Sequence, residues 1–444
     1  MPAWSLPPSL VDLLTCFRGC FTAPTFKTFC ALVAGFLAQP GARTVCGMLA
    51  GARLAGRWHH SRAHRFFAVA RWSPDQLGLA LLAVICARLV DPDSPLLLVV
   101  DDTLYRRAGR KVWGATWHHD PLAPGGKGRK PVAWANCWVV VGVGVHLPFV
   151  PHRAVCLPVL ARLWRPRQPG RSKLDLALEL VGLICARLPD RRIHLVCDAA
   201  YAGKALAGLP AQVTVTTRLR CDAALYQLAP PPTGRRGRPR VKGARLPDLE
   251  VLAGMVHTPF ALLAVTRYGR CGIAAVAHFT CLWPSVFGAR PVHVVVVRDP
   301  DAPDGFDLAL VSTDLAATAA ALVCRYADRW QVEVLFEDSR QVMGVGQARN
   351  RTQAAVERTV PFGLLCLSLT VVWYAAHGQP AVDVAARRAL APWYKAKHAP
   401  SVADMHTALR RVLLAAQYLP SSLVEPTHHE ILAVQAAWAE AAAW

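Results

Sequence analysis

The chain has 444 residues, enough for two to four domains with a substantial core. Its 50 Lys and Arg exceed 29 Asp and Glu, so the formal net charge is +21, which favours nucleic acid or an anionic membrane as a partner, although a genome rich in G and C also favours Arg. Apolar runs such as 363–376 are shorter than the about 20 residues of a bilayer helix, and no basic stretch marks a signal peptide. The 14 cysteines include no Cys-x2-Cys pair. We therefore expect the cysteines to act as small hydrophobic side chains in a reducing compartment.

Residues 1 to about 92 are predicted to be helical. Apolar residues recur at helical spacing over 10–21, 28–36 and 74–89, and no strand-like alternation interrupts them. Ser73 is the expected N-cap of the last of these helices, with Pro74 at its first position. No helix-turn-helix is defined, so binding of DNA ends and a packing role without DNA contacts both stay open for this region.

Two apolar runs end in carboxylates. The run 95–100 leads into Asp101, Asp102 and Thr103, and the run 193–197 leads into Asp198. Continuous apolar runs are typical of strands that are buried on both faces. Because open α/β sheets place their chemistry at such strand ends, the aspartates are candidate site residues. The alternative for the first pair is a capping Asp in a turn.

Between and after these runs, other elements follow from periodicity. We expect a basic, glycine-containing loop over 106–130, strands over 132–145 and 149–157, and a helix over 173–188. Further β-rich segments lie at 261–268, 272–280 and 291–298. The segment 230–240 carries Arg236 and Arg238 in an Arg-Gly-Arg-Pro core that resembles an AT-hook, whose arginines enter a narrow minor groove. A solvated basic linker is the alternative.

A polar face is predicted on a helix over residues 325–340, which contain neither Gly nor Pro. Asp314 is a plausible N-cap for the helix that leads into it. At about 100° per residue, one narrow face collects an aromatic, two guanidinium groups and two carboxylates: Tyr326, Arg329, Glu333, Glu337 and Arg340. The alternative is a solvated face with Arg–Glu pairs four residues apart.

The spacing Tyr326-x2-Arg329-x3-Glu333-x6-Arg340 resembles the Tyr-x2-Arg-x3-Glu-x6-Lys signature of bacterial insertion-sequence transposases with a DDE, RNase H-like catalytic core. Arg340 stands where that family usually has Lys. The Asp-Asp-Thr at 101–103, the Asp198 strand, and residues 64–67 and 70–74 are also similar to parts of this family. The resemblance covers roughly residues 60 to 375 in motif order.

The resemblance implies a site. Asp101, Asp198 and Glu333 would be the catalytic carboxylates and would bind two Mg²⁺ or Mn²⁺ ions, with Asp102 as the alternative to Asp101. Carboxylates suit Mg²⁺, and two such ions suit phosphoryl transfer. Tyr326, Arg329 and Arg340 would lie along transposon-end DNA. Tyr326 and Trp330 would stack on a displaced base, and the alternative for Trp330 is a core aromatic.

The implied architecture is an RNase H-like mixed sheet flanked by helices. We expect an N-terminal helical domain (1–92), a catalytic core in two parts (93–220 and 308–378), a β-rich insertion (221–307) and a helical C-terminal region (379–444).

The implied function is metal-dependent cleavage and strand transfer by an insertion-sequence transposase. The alternatives are an inactive transposase-derived DNA-binding protein and a related nuclease. The expected partners are transposon-end and target DNA duplexes, bound by a homodimer, and no membrane partner is expected. The expected location is the bacterial cytoplasm, at the nucleoid when DNA is bound.

Overall fold

The fold was analysed in a computed structural model, which describes residues 6–120, 123, 131–166, 171–231, 240–255, 258–301, 305–418, 427–429, 431–432 and 434. The strands are β1 Leu96–Arg106, β2 Thr116–His119, β3 Val132–Val145, β4 Val155–Trp164, β5 Ile193–Cys197, β6 Val213–Arg218, β7 Ala261–Arg267, β8 Arg270–Leu282, β9 Pro291–Arg298 and β10 Leu308–Ser312. The helices are α1 Pro8–Thr15, α2 Ala23–Ala38, α3 Val45–Gly51, α4 His60–Ala68, α5 Pro74–Leu89, α6 Lys173–Arg187, α7 Leu249–Gly254, α8 Pro284–Phe287, α9 Ala319–Asp328, α10 Gln331–Gln341, α11 Gln353–His377, α12 Pro380–Leu390 and α13 Val402–Tyr418.

One mixed sheet organises the described strands, in the order β2-β3-β1-β5-β6-β10-β9-β8-β7, with β4 also paired to β3. Strands β1, β5 and β6 run parallel, and the other pairings are antiparallel. Helices α10 and α11 pack over β1 and β4, α6 packs against β3 and β4, and α9 covers the far half of the sheet. The predicted fold class, a mixed sheet flanked by helices with a helical C-terminal region, is confirmed.

The β-rich segment that precedes the Glu333 helix continues this same sheet. Strands β7, β8 and β9 form an antiparallel meander that reaches β6 through β10. At the tip of the β7–β8 hairpin, Tyr268 and Gly269 both have positive φ angles, of 54° and 78°. Two such residues in a two-residue loop match the twist of the flanking strands. The hairpin therefore has a defined tip, which reaches the edge of the site described below.

The N-terminal helices pack onto the rest of the chain through aromatic side chains. Phe66 and Phe67 of α4 lie 6.1 and 5.3 Å, between ring centroids, from Phe362 of α11. The Ser73 hydroxyl accepts hydrogen bonds from the amides of Asp75 and Gln76, which confirms the predicted N-cap of α5.

Residues 232–239, which include Arg236 and Arg238 of the segment that resembles an AT-hook, lie outside the described residues.

Several predicted boundaries were wrong. Strand β1 does not end at the Asp101 and Asp102 carboxylates but continues to Arg106, because β3 still pairs with it there. The expected strand at 149–157 begins only at Val155, and the basic loop after Arg106 contains the short strand β2. The N-cap of α9 is Thr318, whereas Asp314 accepts a hydrogen bond from Arg325 instead.

Helix α11 is longer than the apolar run 363–376 that it contains. It has 25 residues, and among the described residues it is the one helix long and apolar enough to cross a membrane by length and composition. In its most apolar window, 83% of the residues are buried inside the protein. A helix that is apolar on all sides and buried on all sides is typical of a core. Helices α1, α2, α4, α5 and α13 and strand β4 contact it.

Asp404 ties α12 to α13 and is a testable source of stability. Its carboxylate is 3% exposed and accepts from Arg387 Nε at 2.7 Å, Lys397 Nζ at 2.8 Å and the Ser401 hydroxyl at 2.7 Å. Burial alone would raise the pKa of Asp404, but these hydrogen bonds and that from the Ser401 amide lower it to about 2. A depressed pKa stabilises the fold above the unfolded-state value of about 3.9, and this contribution is lost as the pH falls toward 2.

We therefore expect Asp404→Asn to lower the free energy of unfolding at pH 7 by about 2–3 kcal/mol and to flatten its decline between about pH 4 and 2. The matched control is Asp248→Asn, because Asp248 pairs with Arg245 on the surface, with side chains 62% and 59% exposed. Such a pair contributes less than about 1 kcal/mol. Denaturant unfolding across this pH range checks both values. Equal losses in the two variants would contradict the role given to Asp404.

Candidate active site

Helix α10 lies over one face of β1. Alternate residues of a strand point to the same face, and here Thr103 and Tyr105 both contact the helix. The Thr103 hydroxyl accepts a hydrogen bond from Arg340 at 2.6 Å, and the hydroxyls of Tyr105 and Ser339 are 2.9 Å apart. These buried contacts fix the position of α10 along the strand. By the same alternation, Asp101 points toward the beginning of α10.

Arg329 joins Asp101 to Glu333. One guanidinium nitrogen donates to Asp101 Oδ2 at 3.0 Å, and the other donates to Glu333 Oε1 at 3.0 Å. The Arg329 side chain is only 12% exposed and that of Asp101 19%. The predicted Arg–Glu pair four residues apart is thus present, but it belongs to a half-buried centre rather than to a solvated face. The first and third predicted carboxylates are therefore brought to one point.

Asp198 lies beside Asp101. The parallel pairing of β1 with β5 ends at the pair Val100 and Cys197, so the next residues along the two strands are Asp101 and Asp198. Neighbouring residues at the same level of a parallel sheet point to the same face. The Asp198 carboxylate also accepts a hydrogen bond from the Ala199 amide at 2.7 Å. Asp101 and Asp198 are therefore neighbours where the parallel part of the sheet ends, and Arg329 connects Asp101 to Glu333.

The electrostatics of Asp101 reflect this crowding. Burial, together with the nearby Asp102 and Asp198 carboxylates, raises the pKa of Asp101 to about 7, although a hydrogen bond from the Asp102 amide and the charge of Arg329 lower it. Buried carboxylates that repel one another need a neutralising cation. In this arrangement Arg329 supplies it.

Asp102 occupies the opposite face of β1 and has partners of its own. Its carboxylate accepts from Lys173 Nζ at 2.6 Å and from the Tyr201 hydroxyl at 3.2 Å, and Cys137 Sγ lies 3.4 Å away. Lys173 is the first residue of α6 and Tyr201 belongs to a 3-10 turn after Asp198. Sequence reasoning missed both partners. The alternation along the strand was the signal that separates Asp101 from Asp102.

The predicted single helix over residues 325–340 is wrong, because the chain forms two helices there. Helix α9 ends at Asp328 and α10 begins at Gln331, with Arg329 and Trp330 in a tight turn between them. In this turn the amides of Arg329, Trp330, Val332 and Glu333 bond three residues back rather than four. The turn directs Arg329 inward, toward the carboxylates.

The aromatic side chains of the motif separate at this turn. Tyr326 belongs to the face of α9 that covers the sheet and is only 6% exposed. Its ring centroid lies 5.5 Å from the Arg329 guanidinium carbon. Trp330 is 44% exposed, so the core-aromatic interpretation is wrong. Its ring meets that of Tyr268 edge to face at 6.1 Å. The tip of the β7–β8 hairpin thereby reaches the Glu333 helix.

A cleft of about 840 Å³ opens beside these residues. Acidic and basic residues share its lining, among them Asp120, Glu333, Arg106 and Arg340, together with the neutral Gln347. Arg340 donates to Thr103 at the floor of the cleft. A polar, open groove with cations beside carboxylates suits an extended anionic ligand better than an apolar small molecule.

The donor set is compatible with a divalent cation only if one side chain moves. Among the described residues, no three Asp, Glu, His or Cys side chains are close enough together to hold a metal ion. The Arg329 guanidinium stands between Asp101 and Glu333, with a 3.0 Å contact to each. The carboxylate oxygens themselves are hard ligands of the kind Mg²⁺ prefers. A cation that replaced the guanidinium charge would satisfy the same oxygens.

Comparison with protein families decides the assignment. The family model described as "DDE superfamily endonuclease" matches residues 16–266, more than half of the chain. The chain belongs to the DDE superfamily endonuclease family. The match includes β1 with Asp101 and β5 with the following Asp198, and it ends before the Glu333 helix.

Two other comparisons add little. This chain is similar to a chain in the cryo-EM structure of the piggyBac transposase synaptic complex with hairpin DNA, with 11% sequence identity and a TM-score of 0.42. The similarity covers 96% of this chain and 80% of the piggyBac structure's chain. No curated protein sequence matches this chain.

Proposed function

We propose that the chain is the DNA transposase of an insertion sequence, which cleaves transposon ends and joins them to target DNA. The supporting observation is that Asp198 is the neighbour of Asp101 at the end of the parallel strands and that Arg329 connects Asp101 to Glu333, although these residues are far apart in sequence. Membership of an endonuclease family supports the cleavage step. Cleavage requires in-line attack of water on a phosphodiester, and joining requires attack by the freed 3′-hydroxyl.

Asp101, Asp198 and Glu333 would hold two divalent ions, Mg²⁺ or Mn²⁺. When bound, such ions stabilise negative charge on the transferred phosphoryl group and on the attacking and leaving oxygens. Within the protein, Arg329 would leave its bridging position and neutralise a DNA phosphate. Arg340, held at the cleft floor by Thr103, would bind a second phosphate.

Of the two aromatic residues, Trp330 would contact the DNA directly, whereas Tyr326 is buried and not exposed for base stacking. Trp330, exposed and supported by Tyr268, would stack on a displaced base. Tyr326 would contribute through its contact with Arg329. Burial raises the pKa of Tyr326 to about 12, so its hydroxyl stays protonated and able to donate a hydrogen bond.

The expected partners are duplex transposon ends and target DNA, bound by a homodimer in the bacterial cytoplasm, at the nucleoid when on DNA. One alternative function is hydrolysis of DNA without joining. The family description favours it, because that description names an endonuclease. An inactive DNA-binding descendant is less well supported, since the three carboxylates are present and all interact with Arg329.

The experiment that separates these functions detects joining. Radiolabelled duplexes from the DNA on either side of this gene are incubated with protein, Mg²⁺ and a supercoiled plasmid. A transposase transfers label to the plasmid, whereas a nuclease yields only shortened duplexes. Label that never reaches the plasmid despite cleavage would overturn the transposase proposal in favour of the nuclease.

Arg340 offers a graded test, because the resembling family usually has Lys there. We expect Arg340→Lys to retain cleavage within about threefold, since a lysine keeps the phosphate-binding charge, and Arg340→Gln to lose about tenfold or more. Steady-state cleavage of the same labelled duplex measures both. If the Lys and Gln variants are equally impaired, the hydrogen bond to Thr103 matters and the charge does not.

A further inference from the structure

Two basic loops beside the cleft are fastened to each other. The first follows β1 (residues 107–115) and the second connects α10 to α11 (residues 342–352). Arg107, at the start of the first loop, donates through one guanidinium nitrogen to the carbonyls of Gly346 at 2.7 Å and Ala348 at 3.0 Å in the second. Its Nε donates to Asn136 Oδ1 at 2.7 Å, which fixes the guanidinium to β3.

Further contacts hold the two loops at their far ends. The Trp113 amide donates to the Arg351 carbonyl at 3.0 Å, and Asn136 Nδ2 donates to the Trp113 carbonyl at 3.0 Å. Gly346 has a φ of 94°, and a Cβ at that position would lie 2.9 Å from the ring of Tyr105, so the second loop lies close against β1. The two loops thus form one pre-organised backbone surface.

This surface carries cations without acidic partners. Arg110 and Lys111 of the first loop and Arg349 and Arg351 of the second are exposed, and we call these four residues the basic ridge. None of them makes an ion pair with an acid in the described ranges, whose gaps include 121–122 and 124–130. Nearby carboxylates are engaged elsewhere: Asp120 by Arg106 and Glu357 by Gln353.

The second loop, which carries two of the ridge residues, also lines the cleft. The lining runs from Glu333 and Arg340 to Gly346 and Gln347, which belong to the second loop. The backbone of Arg43, from the N-terminal helical region, donates to Gln347 Oε1 at 2.7 Å at the same place. A ligand that lies in the cleft and extends past Gln347 therefore meets the ridge.

We propose that the basic ridge binds the phosphate backbone of duplex DNA on one side of the cleavage position. Four solvated cations on a rigid support suit a fixed series of phosphates. The two loops offer no exposed aromatic for unpaired bases, because Trp113 is half-buried with its ring centroid 5.0 Å from the Arg165 guanidinium carbon. This favours a duplex over a single strand. The inference deepens the proposed function, since the DNA in the cleft is that of the cleavage reaction.

The test compares two fourfold variants of equal charge. In the ridge variant, Arg110, Lys111, Arg349 and Arg351 are changed to Gln. In the control variant, four exposed arginines at the opposite end of the sheet, where β5 and β9 begin, are changed to Gln: Arg88, Arg187, Arg192 and Arg290. Fluorescence anisotropy measures binding to a 40-base-pair duplex and to a 40-nucleotide single strand from 50 to 200 mM salt, without divalent ions.

We expect the ridge variant to bind the duplex about 10- to 100-fold more weakly than the control variant at 100 mM salt. The slope of log K against log salt should fall by about 2–4, since each phosphate contact on B-DNA contributes about 0.9. The single strand should lose less. Equal affinities and slopes for the two variants would overturn the proposal, as would a loss at least as large on the single strand. Circular dichroism and the melting temperature verify that both variants are folded.

This outcome is separable from the fate of the proposed function. The binding measurement needs no cleavage, so an inactive DNA-binding protein would still show the difference between the variants. Conversely, the native chain could cleave and join DNA while the ridge variant binds the duplex as tightly as the control variant. That result would support the transposase proposal and contradict only the proposed role of the basic ridge.

Discussion

Replacing Asp101 by Asn should reduce DNA cleavage at least about 1,000-fold, whereas Asp102→Asn should leave cleavage within about threefold of native. Loss of a carboxylate that holds a catalytic metal removes several kcal/mol of transition-state stabilisation, and each 1.36 kcal/mol is tenfold in rate. Asp101 shares Arg329 with Glu333 and lies beside Asp198, while Asp102 faces away, toward Lys173 and Tyr201.

Asp102→Asn should instead act on stability. It leaves the half-buried Lys173 ammonium without its partner, and we expect a loss of about 1–3 kcal/mol in the free energy of unfolding. Thermal unfolding and single-turnover cleavage of the same protein samples separate the two effects. If Asp102→Asn abolishes cleavage and Asp101→Asn does not, the metal ligand is Asp102 and the assignment based on strand alternation fails.

The carboxylates of β1 and β5 could be predicted from sequence for a local reason. A continuous apolar run that ends in a carboxylate is a strong signal of a buried strand, and it needs no knowledge of the rest of the chain. The same applies to β3, whose predicted range 132–145 is the observed Val132–Val145, and to α6, which begins at the predicted Lys173.

The turn at Arg329 and Trp330 could not be predicted from helical periodicity, because its cause is distant in the chain. Trp330 meets Tyr268, which the β7–β8 hairpin delivers, and Arg329 is drawn to Asp101 of β1. A helix that continued with regular geometry would satisfy the local pattern equally well. Tertiary contacts of this kind override local preference.

The partners of Asp102 were hidden for a similar reason. Lys173 is the first residue of α6, and the sequence does not indicate which carboxylate it binds. Its contact with Asp102 depends on the packing of α6 against β3 and β4. The role of Arg107 as a fastener of two loops depends likewise on carbonyl groups 239 and 241 residues away. Only three-dimensional pairing reveals such contacts.

Glu333 is the residue on which the proposed chemistry depends most. It lies in the first turn of α10 and receives a hydrogen bond from Arg329, which also donates to Asp101, the neighbour of Asp198. Glu337 provides a matched control one turn further along the same helix: it is exposed and accepts a hydrogen bond from Gln341. A change to Gln removes the same charge at each position.

The most direct test of the account is therefore Mg²⁺-dependent cleavage of the duplex from the ends flanking this gene, by the native chain, Glu333→Gln and Glu337→Gln, with DNA binding measured in parallel. We expect Glu333→Gln to bind DNA but to cleave at least about 1,000-fold more slowly, and Glu337→Gln to cleave within about threefold of native. If Glu333→Gln cleaves as fast as the native chain, Glu333 is not a catalytic carboxylate and the site proposed here is wrong.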